Sequence, residues 1–560
     1  MKRKIYLIAL ALVCSVLCAF GLIACGNTPD EGDNGGLSFE LSEDGSFYSV
    51  FLSDKGGGEN ADIVIPATYR KKPVAEIKGH GFEDGKIKSV TIPDSVKKIG
   101  IQAFADCENL KTVEFGNGVT EIESFAFNNT GLETLTLPAS VTTIGTQVFQ
   151  ANSALTTATI YGNIVCGDFL FDECPVLTKV EFLGEESISL GSEAFYDCPL
   201  LKEITIVADN VSFEDNTFFG CKPTKLTATF QAIYKADFAA TMRAEAPQEL
   251  VFLRTETFAN EQPVSYYNNK VTSITLPATL KVCEEGAFSV FKKLEKVIYE
   301  GTVRDWCAIE FKNYSANPVS KGAELVIGGN TVEGKLIIPA DVTKINEYAF
   351  FRYKKITDLE VSTGVSEIGD YAFYATSIRT VKLPEDLTAI GESALAGCRL
   401  ILVTLPQNLE SLGVNAFKDN HMLTRLIMTQ DQIDNGMAPD YVTSLSHYFE
   451  TLSEADESTV EKIGDFIFWK DENDSYWLMD YVGNEKEITL PATVNGNKYA
   501  IHAYAFANTE LDKITFEDTS DWQCKYKYNA PTDMTVSDPE QNAKNLQESY
   551  VSREWYQKDN

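Results

Sequence analysis

Histidine is scarce in this chain, with four in 560 residues: His80, His421, His447 and His502. None has a Glu or Cys at metal-ligand spacing, and there is no Cys-x-x-Cys pair, so the usual zinc patterns are missing. Also missing are a Gly-x-Ser-x-Gly elbow, a Walker loop, a dinucleotide fingerprint, and the EF-hand and RTX calcium spacings. No catalytic residue, metal or cofactor is therefore expected, and an enzyme would need a carboxylate site that no motif announces. Basic residues are outnumbered, 48 Lys and Arg against 81 Asp and Glu, for a net charge of −33. That excludes the basic footprint of nucleic-acid binding and suits a large soluble surface. Long apolar runs are confined to residues 5–20, too short for an ordinary transmembrane helix.

A unit of about 23 residues, in contrast, returns from residue 61 to residue 511. Residues 88–110 read KSVTIPDSVKKIGIQAFADCENL, and residues 133–155 read ETLTLPASVTTIGTQVFQANSAL. A fixed period of this length implies a solenoid whose turns bury their apolar sides on one another. Val90 and Ile92 alternate with Ser89 and Thr91, the mark of a short strand with one face buried. Pro93 stops it, as Pro66, Pro138, Pro277, Pro339, Pro384, Pro406 and Pro491 do elsewhere. Gly100, Gly145, Gly369, Gly391 and Gly413 are expected at a corner with φ > 0. Ala-Phe pairs such as Ala103-Phe104, Ala194-Phe195 and Ala372-Phe373 are expected to stack their rings as an internal spine.

These residues resemble the BspA-type, or type 5, leucine-rich repeat of bacterial surface proteins. Its pattern is L-x-x-[VI]-x-[IL]-P-x-x-[VL]-x-x-I-G-x-x-[AS]-F-x-x-C-x-x-L. The resemblance covers about 450 residues, and residues 88–110 match nearly every position. It implies a β-rich solenoid: a curved array of ~23-residue coils with short parallel strands, capping hairpins and few helices. It also implies attachment to host or neighbouring-cell surfaces.

The N-terminus reads as an export signal, with Lys2, Arg3 and Lys4 before the apolar run. Leu22-Ile23-Ala24-Cys25 looks like a bacterial lipobox, which implies cleavage after residue 24 and a diacylglyceryl group on Cys25. Residues 25–36 read as a flexible tether and 37–60 as a capping hairpin turning at Asp44-Gly45. The main array is assigned to 61–457, interrupted at 231–270 and 429–457. A second short repeat segment is assigned to 458–528, beginning with a hairpin that turns at Asp471–Ser475. Residues 529–560 form a C-terminal cap or tail, with a helix starting at Ser537-Asp538-Pro539. The stretch from Tyr299 to Trp306 has an echo from Phe516 to Trp522. In both, a Thr is read as a helix N-cap and the Trp as a plug over coil edges.

Export favours disulfides, but position argues against them. Cys107, Cys174, Cys198, Cys221 and Cys398 each fall three residues after a core Phe or Leu. Cys166 and Cys283 replace a core Ile, and Cys307 and Cys524 follow the two Trp plugs. All nine are read as buried thiols.

The candidate binding face is the set of outward strand positions: Thr91, Glu114, Thr136, Thr159, Lys179, Glu181, Glu203, Thr205, Lys225 and Thr227. One strand spacing apart, they should form rows, with Lys179, Glu203 and Lys225 alternating in sign. The sequence reads as an exported protein anchored to the bacterial membrane through Cys25. It faces outward and binds an extracellular protein or glycan. A structural spacer or envelope scaffold is the alternative.

Overall fold

The computed structural model describes residues 36–53, 61–229, 232–233, 247–259, 270–438, 450–452 and 459–558, apart from 472, 484, 507–508, 520 and 527–529. The expected signal peptide, Cys25, nearly all of the tether and much of both interruptions lie outside the described residues. The fold is a β-solenoid of about 18 turns with few helices. It divides into two compact units, Met1–Pro247 and Gln248–Asn560.

Each regular coil of the first unit has three sides. The first is a strand: Thr134–Leu137, Thr157–Ile160, Lys179–Phe182, Glu203–Ile206 and Lys225–Thr229 stack in parallel. Leu135 and Leu137 are buried while Thr134 and Thr136 are exposed, as the alternation requires. A proline closes the bend: the N–H of Val141 donates to the Pro138 carbonyl at 3.1 Å, and Val96 does the same to Pro93. The second side is a shorter strand, and Lys98–Ile99, Glu121–Ile122, Thr143–Ile144 and Ile164–Cys166 stack in turn.

The third side is a ladder of turns. The N–H groups of Gln102, Phe104 and Asp106 donate forward to the carbonyls of Ser124, Ala126 and Asn128 at 3.1, 2.8 and 3.0 Å. Those of Ala103 and Ala105 close turns within their own coil. Every alternate amide is thus satisfied by the next coil, which accounts for buried backbone that forms neither helix nor sheet. Two residues per coil take left-handed φ here, among them Gln102 (+53°), Asp106 (+59°), Phe125 (+60°) and Asn129 (+51°).

The corner glycines depart from expectation. Gly100, Gly145, Gly369, Gly391 and Gly413 do not have positive φ. A Cβ at Gly100 would lie 2.5 Å from the Gly79 nitrogen, and one at Gly413 would lie 2.3 Å from the Gly391 carbonyl carbon. Glycine is required there because consecutive backbones touch, and the left-handed positions are taken by other residues.

The phenylalanine spine is continuous. Centroids of Phe82, Phe104, Phe127, Phe149, Phe171, Phe195 and Phe218 follow one another at 4.9–5.5 Å, close to parallel. Ala103, Ala126 and Ala194, beside three of these rings, are fully buried. The slot three residues after each ring has a polar task. Cys198 Sγ donates to the Phe171 carbonyl of the preceding coil at 3.1 Å, and Cys107, Cys174, Cys221 and Cys398 act likewise at 2.9–3.3 Å. Asn152 in the same slot donates to the Phe127 carbonyl at 3.0 Å. The slot selects a small donor to a carbonyl of the preceding coil, so cysteine here is more than a small hydrophobe. All nine described cysteines are free and buried.

In the second unit the interruptions contain regular pieces. Glu249–Leu253 pairs in parallel with Ser273–Leu276, and Thr257–Phe258 with Val282–Cys283. Glu450–Leu452 pairs with Arg425–Ile427. Thr429 caps a helix over Gln430–Asp434 through a capping box with Gln432. Thr302 and Asp305 form the same box ahead of Val303–Cys307, and Trp306, fully buried, donates from Nε1 to the Ala349 carbonyl at 2.9 Å. The expected echo differs: Trp522 begins a strand, Trp522–Lys525, and bonds from Nε1 to the Asp518 carbonyl. There an antiparallel partner, Glu554–Gln557, competes with helix formation and wins. The strands Phe466–Lys470 and Tyr476–Tyr481 meet at Asp471, whose carboxylate accepts the N–H groups of Asn473 and Ser475. Asp538 caps the helix Pro539–Lys544, and Ala543 and Leu546 are buried.

Candidate binding surfaces

The outward strand positions fall into rows. Thr136, Thr159, Glu181, Thr205 and Thr227 are successive register partners, as are Thr134, Thr157, Lys179, Glu203 and Lys225. Thr91 pairs with Glu114 one coil apart, and its Oγ1 donates to Glu114 Oε2 at 3.2 Å. Glu114, Thr136 and Glu203 are exposed; Thr91, Thr159, Lys179, Glu181, Thr205, Lys225 and Thr227 are half-buried. Signs alternate along Lys179, Glu203 and Lys225, but the short contact of Lys179 is to Glu181 on its own strand, at 3.0 Å. A partly exposed pair of this kind contributes little stability. A neighbouring threonine column is structural. Thr156, Thr178 and Thr224 donate their hydroxyls to the carbonyls of Glu133, Thr156 and Lys202 in the preceding coils.

The second unit carries further surface that the strand-face reading did not include. Its outward rows hold acid–base clusters, with Glu360 bridging Lys335 at 2.7 Å and Lys382 at 3.4 Å. A polar cleft of about 740 Å³ lies between Gln407–Leu412 and the helix Gln430–Asp434. An adjoining one of about 530 Å³ is lined by Glu385, Asp386 and Thr388. A cluster of stacked tyrosines sits on the turn side, at the positions before Ala and after Phe. The 23-residue period could have located it, had those two positions been read down the array.

The titratable groups are tuned for structure. Burial pushes the Cys107 thiol up to about 12 and Cys398 to about 11, and raises Cys166, Cys221, Cys283 and Cys307 further. Such thiols are poor nucleophiles. His502 is buried and pushed down to about 4, with its ring Nδ1 2.7 Å from the Ala503 carbonyl. His80 meets Glu83 at 2.9 Å, and His421 stacks on Tyr504. His447 lies outside the described residues. Among the described residues no three His, Cys, Asp or Glu side chains are grouped to hold a metal ion.

Comparison with known proteins gives one family. The description "BspA type Leucine rich repeat region (6 copies)" matches residues 75–188, 164–263, 259–320 and 330–436. No curated protein matches the chain. Similar solved structures include a leucine-rich repeat protein from Bacteroides ovatus, 17% identical, covering 74% of this chain and 98% of its own, with a TM-score of 0.27. A leucine-rich cell surface protein from Faecalibacterium prausnitzii is 18% identical, covering 77% and 100%, with a TM-score of 0.21. The pneumococcal vaccine antigen PcpA is 18% identical, covering 74% and 84%, with a TM-score of 0.22.

Proposed function

Because the chain belongs to the BspA-type leucine-rich repeat family, we propose that it is a cell-surface binding or adhesion protein, lipid-anchored through Cys25, that engages an extracellular protein or glycan along its strand face. The observation that carries the reading is the in-register stacking of Thr136, Thr159, Glu181, Thr205 and Thr227 beside Lys179, Glu203 and Lys225. Rigid rows of hydroxyls and charges give a flat partner many weak contacts at fixed spacing, which is how a surface without a pocket gains affinity. The lipobox Leu22-Ile23-Ala24-Cys25 supports the anchor.

The test is binding of the full chain to a panel of host proteins and glycans, before and after Lys179→Glu, Glu203→Lys and Lys225→Glu together. A loss of tenfold or more supports the strand face. Unchanged binding moves the site elsewhere, and no binding at all favours a spacer or envelope scaffold. Labelling with a fatty-acid analogue tests the anchor, since Cys25→Ala should lose the label.

A further inference from the structure

The turn side of the second unit carries two short aromatic columns. Tyr348 stacks on Tyr371 with centroids 5.4 Å apart and planes at 5°, and Phe351 stacks on Tyr374 at 5.2 Å and 10°. Tyr371 and Tyr374 lie 5.6 Å apart, tilted, and Tyr314, 58% exposed, leans on Phe351 at 5.8 Å. Tyr348, Tyr371 and Tyr374 are half-buried. The columns stop at the next coil, where Ser393 and Ala396 occupy the two positions. Tyr348 and Tyr371 sit at φ of +60° and +56°, a conformation unfavourable for aromatic residues. In the first unit the same two positions hold mixed residues such as Gln102, Glu193 and Asn128, and among the described residues one such stacked pair occurs, Tyr196 on Phe219 at 5.2 Å.

Carboxylates ring the tyrosine pair because the turn ladder places them there. The Tyr348 N–H donates to the Asp370 carbonyl at 3.0 Å, and the Tyr371 N–H to the Glu392 carbonyl at 2.9 Å. Each acid is therefore held beside the ring of the coil before it. The Tyr371 hydroxyl donates to Glu392 Oε1 at 2.6 Å, and the Glu392 N–H donates to Asp370 Oδ1, also at 2.6 Å. Among the described residues neither Asp370 nor Glu392 has an ion-pair partner. Two cations lie close by: Lys344 pairs with Glu347 and Glu367, and Arg352 sits over the Phe351 ring at 5.5 Å. The phenols of Tyr348 and Tyr371 are raised, through burial for the first and the bond to Glu392 for the second, with the neighbouring carboxylates adding to both.

The geometry points to this tyrosine ladder as a docking surface for a basic polypeptide, whose Lys or Arg stems lie on the ring edges and whose charged heads meet Asp370 and Glu392. A sugar platform offers ring faces, but here the rings use much of theirs on one another. What remains outward is ring edges, hydroxyls and carboxylates, which match an amphipathic cationic side chain. Tyrosine also supplies large contact area at small entropic cost. The net charge of −33 steers such a partner toward the chain. The inference rests on the surface-binding reading and gives it a partner class and a second face.

The test measures a fluorescent Lys/Arg-rich peptide, a neutral oligosaccharide and a serum protein panel against the full chain. Two double variants remove the same charge at different places: Asp370→Asn with Glu392→Gln at the ladder, and Glu181→Gln with Glu203→Gln on the strand face. Tyr374→Ser removes a ring, and the amide pair keeps the shape should the Ser variant fold poorly. A tenfold or greater loss of peptide affinity in the ladder variants, against less than threefold on the strand face, supports the proposal. Equal losses would mean diffuse electrostatics and overturn it, as would oligosaccharide binding that depends on the same tyrosines. Panel binding lost only through the strand face overturns the ladder and leaves the surface-binding reading intact; no binding of any probe removes both.

Discussion

Arg379 Nε lies 2.5 Å from Asp480 Oδ2, across 101 residues of sequence. Arg399 Nη2 bonds to the other carboxylate oxygen, so a fully buried acid is held between guanidiniums from successive coils. Around it Ile401 and Met422 of the array pack against Ile467, Trp469 and Met479 of the later sheet. Burial raises the Asp480 pKa while the two arginines oppose that rise.

Removing one member of a buried ionic cluster leaves the others charged and unpaired, which costs more than the cluster contributes. Asp480→Ala should therefore destabilise the second unit by about 3–5 kcal/mol in urea unfolding. Replacing Asp480, Arg379 and Arg399 together by Leu, Met and Met should cost far less. A loss below about 1 kcal/mol for Asp480→Ala would remove the clasp from the stability account.

The thiol slot makes a kinetic prediction. With Cys107 raised to about 12 and Cys166, Cys174, Cys221, Cys283, Cys307, Cys398 and Cys524 also raised, these native thiols should alkylate on the order of 10³-fold more slowly at pH 8 than an exposed cysteine. In denaturant without reductant, mass spectrometry should then count nine labelled positions beyond residue 25. A Cys174–Cys198 bridge in most molecules would contradict this. Phe195→Ala, beside the same slot, should cost about 3–5 kcal/mol in thermal unfolding.

Gly413→Ala tests the corner. Its new methyl would meet the backbone of Gly391, which cannot rotate aside, so a loss of about 1–3 kcal/mol is expected from overpacking. Gly436→Ala, where φ is +75° and no atom of the described residues lies within 4 Å, carries only the backbone cost. If the two melt alike, coil contact is not what selects glycine at the corner.

Asp172 predicts a pH profile. Its Oδ2 accepts from Gln150 at 2.7 Å, and its Oδ1 is buried without a hydrogen-bond partner among the described residues. Burial, with Glu173 and Glu193 nearby, raises its pKa from 3.8 to about 6. The folded state then holds the proton more tightly than the unfolded one, so this group's contribution is present below pH 3.8 and is lost as pH rises through 6. Asp172→Asn should stabilise by about 1–2 kcal/mol at pH 7 and by nothing near pH 3.5. An equal gain at both pH values would show that ionisation is not the cause.

Most of the first unit was legible because the forces that shape it are local and repeat. Alternation around Val90 and Ile92, the stop at Pro93 and the pairing of Ala with Phe each recur at one spacing, so the strand rows and the spine could be read directly. The corner glycines were misread because a glycine needed for close approach and one needed for left-handed φ look alike in sequence. Trp522 was misread because its helix signal was weaker than a strand partner, Glu554–Gln557, that no local pattern announces. The Asp480 clasp was invisible for the same reason: its partners share no period. The candidate face was legible as rows, whereas the tyrosine ladder required knowing that successive turns stack residue upon residue.

The stretch between register partners Lys179 and Glu203 is longer than that between Glu203 and Lys225, yet both pairs align. Odd residues are taken up at the bends, and these strands keep their register. For a gene, this makes the whole turn the natural unit of change. Slippage or recombination that copies or deletes one turn leaves every remaining row, ring and slot in place. Length, and with it the number of rungs offered to a partner, can then drift between strains while the fold stays fixed.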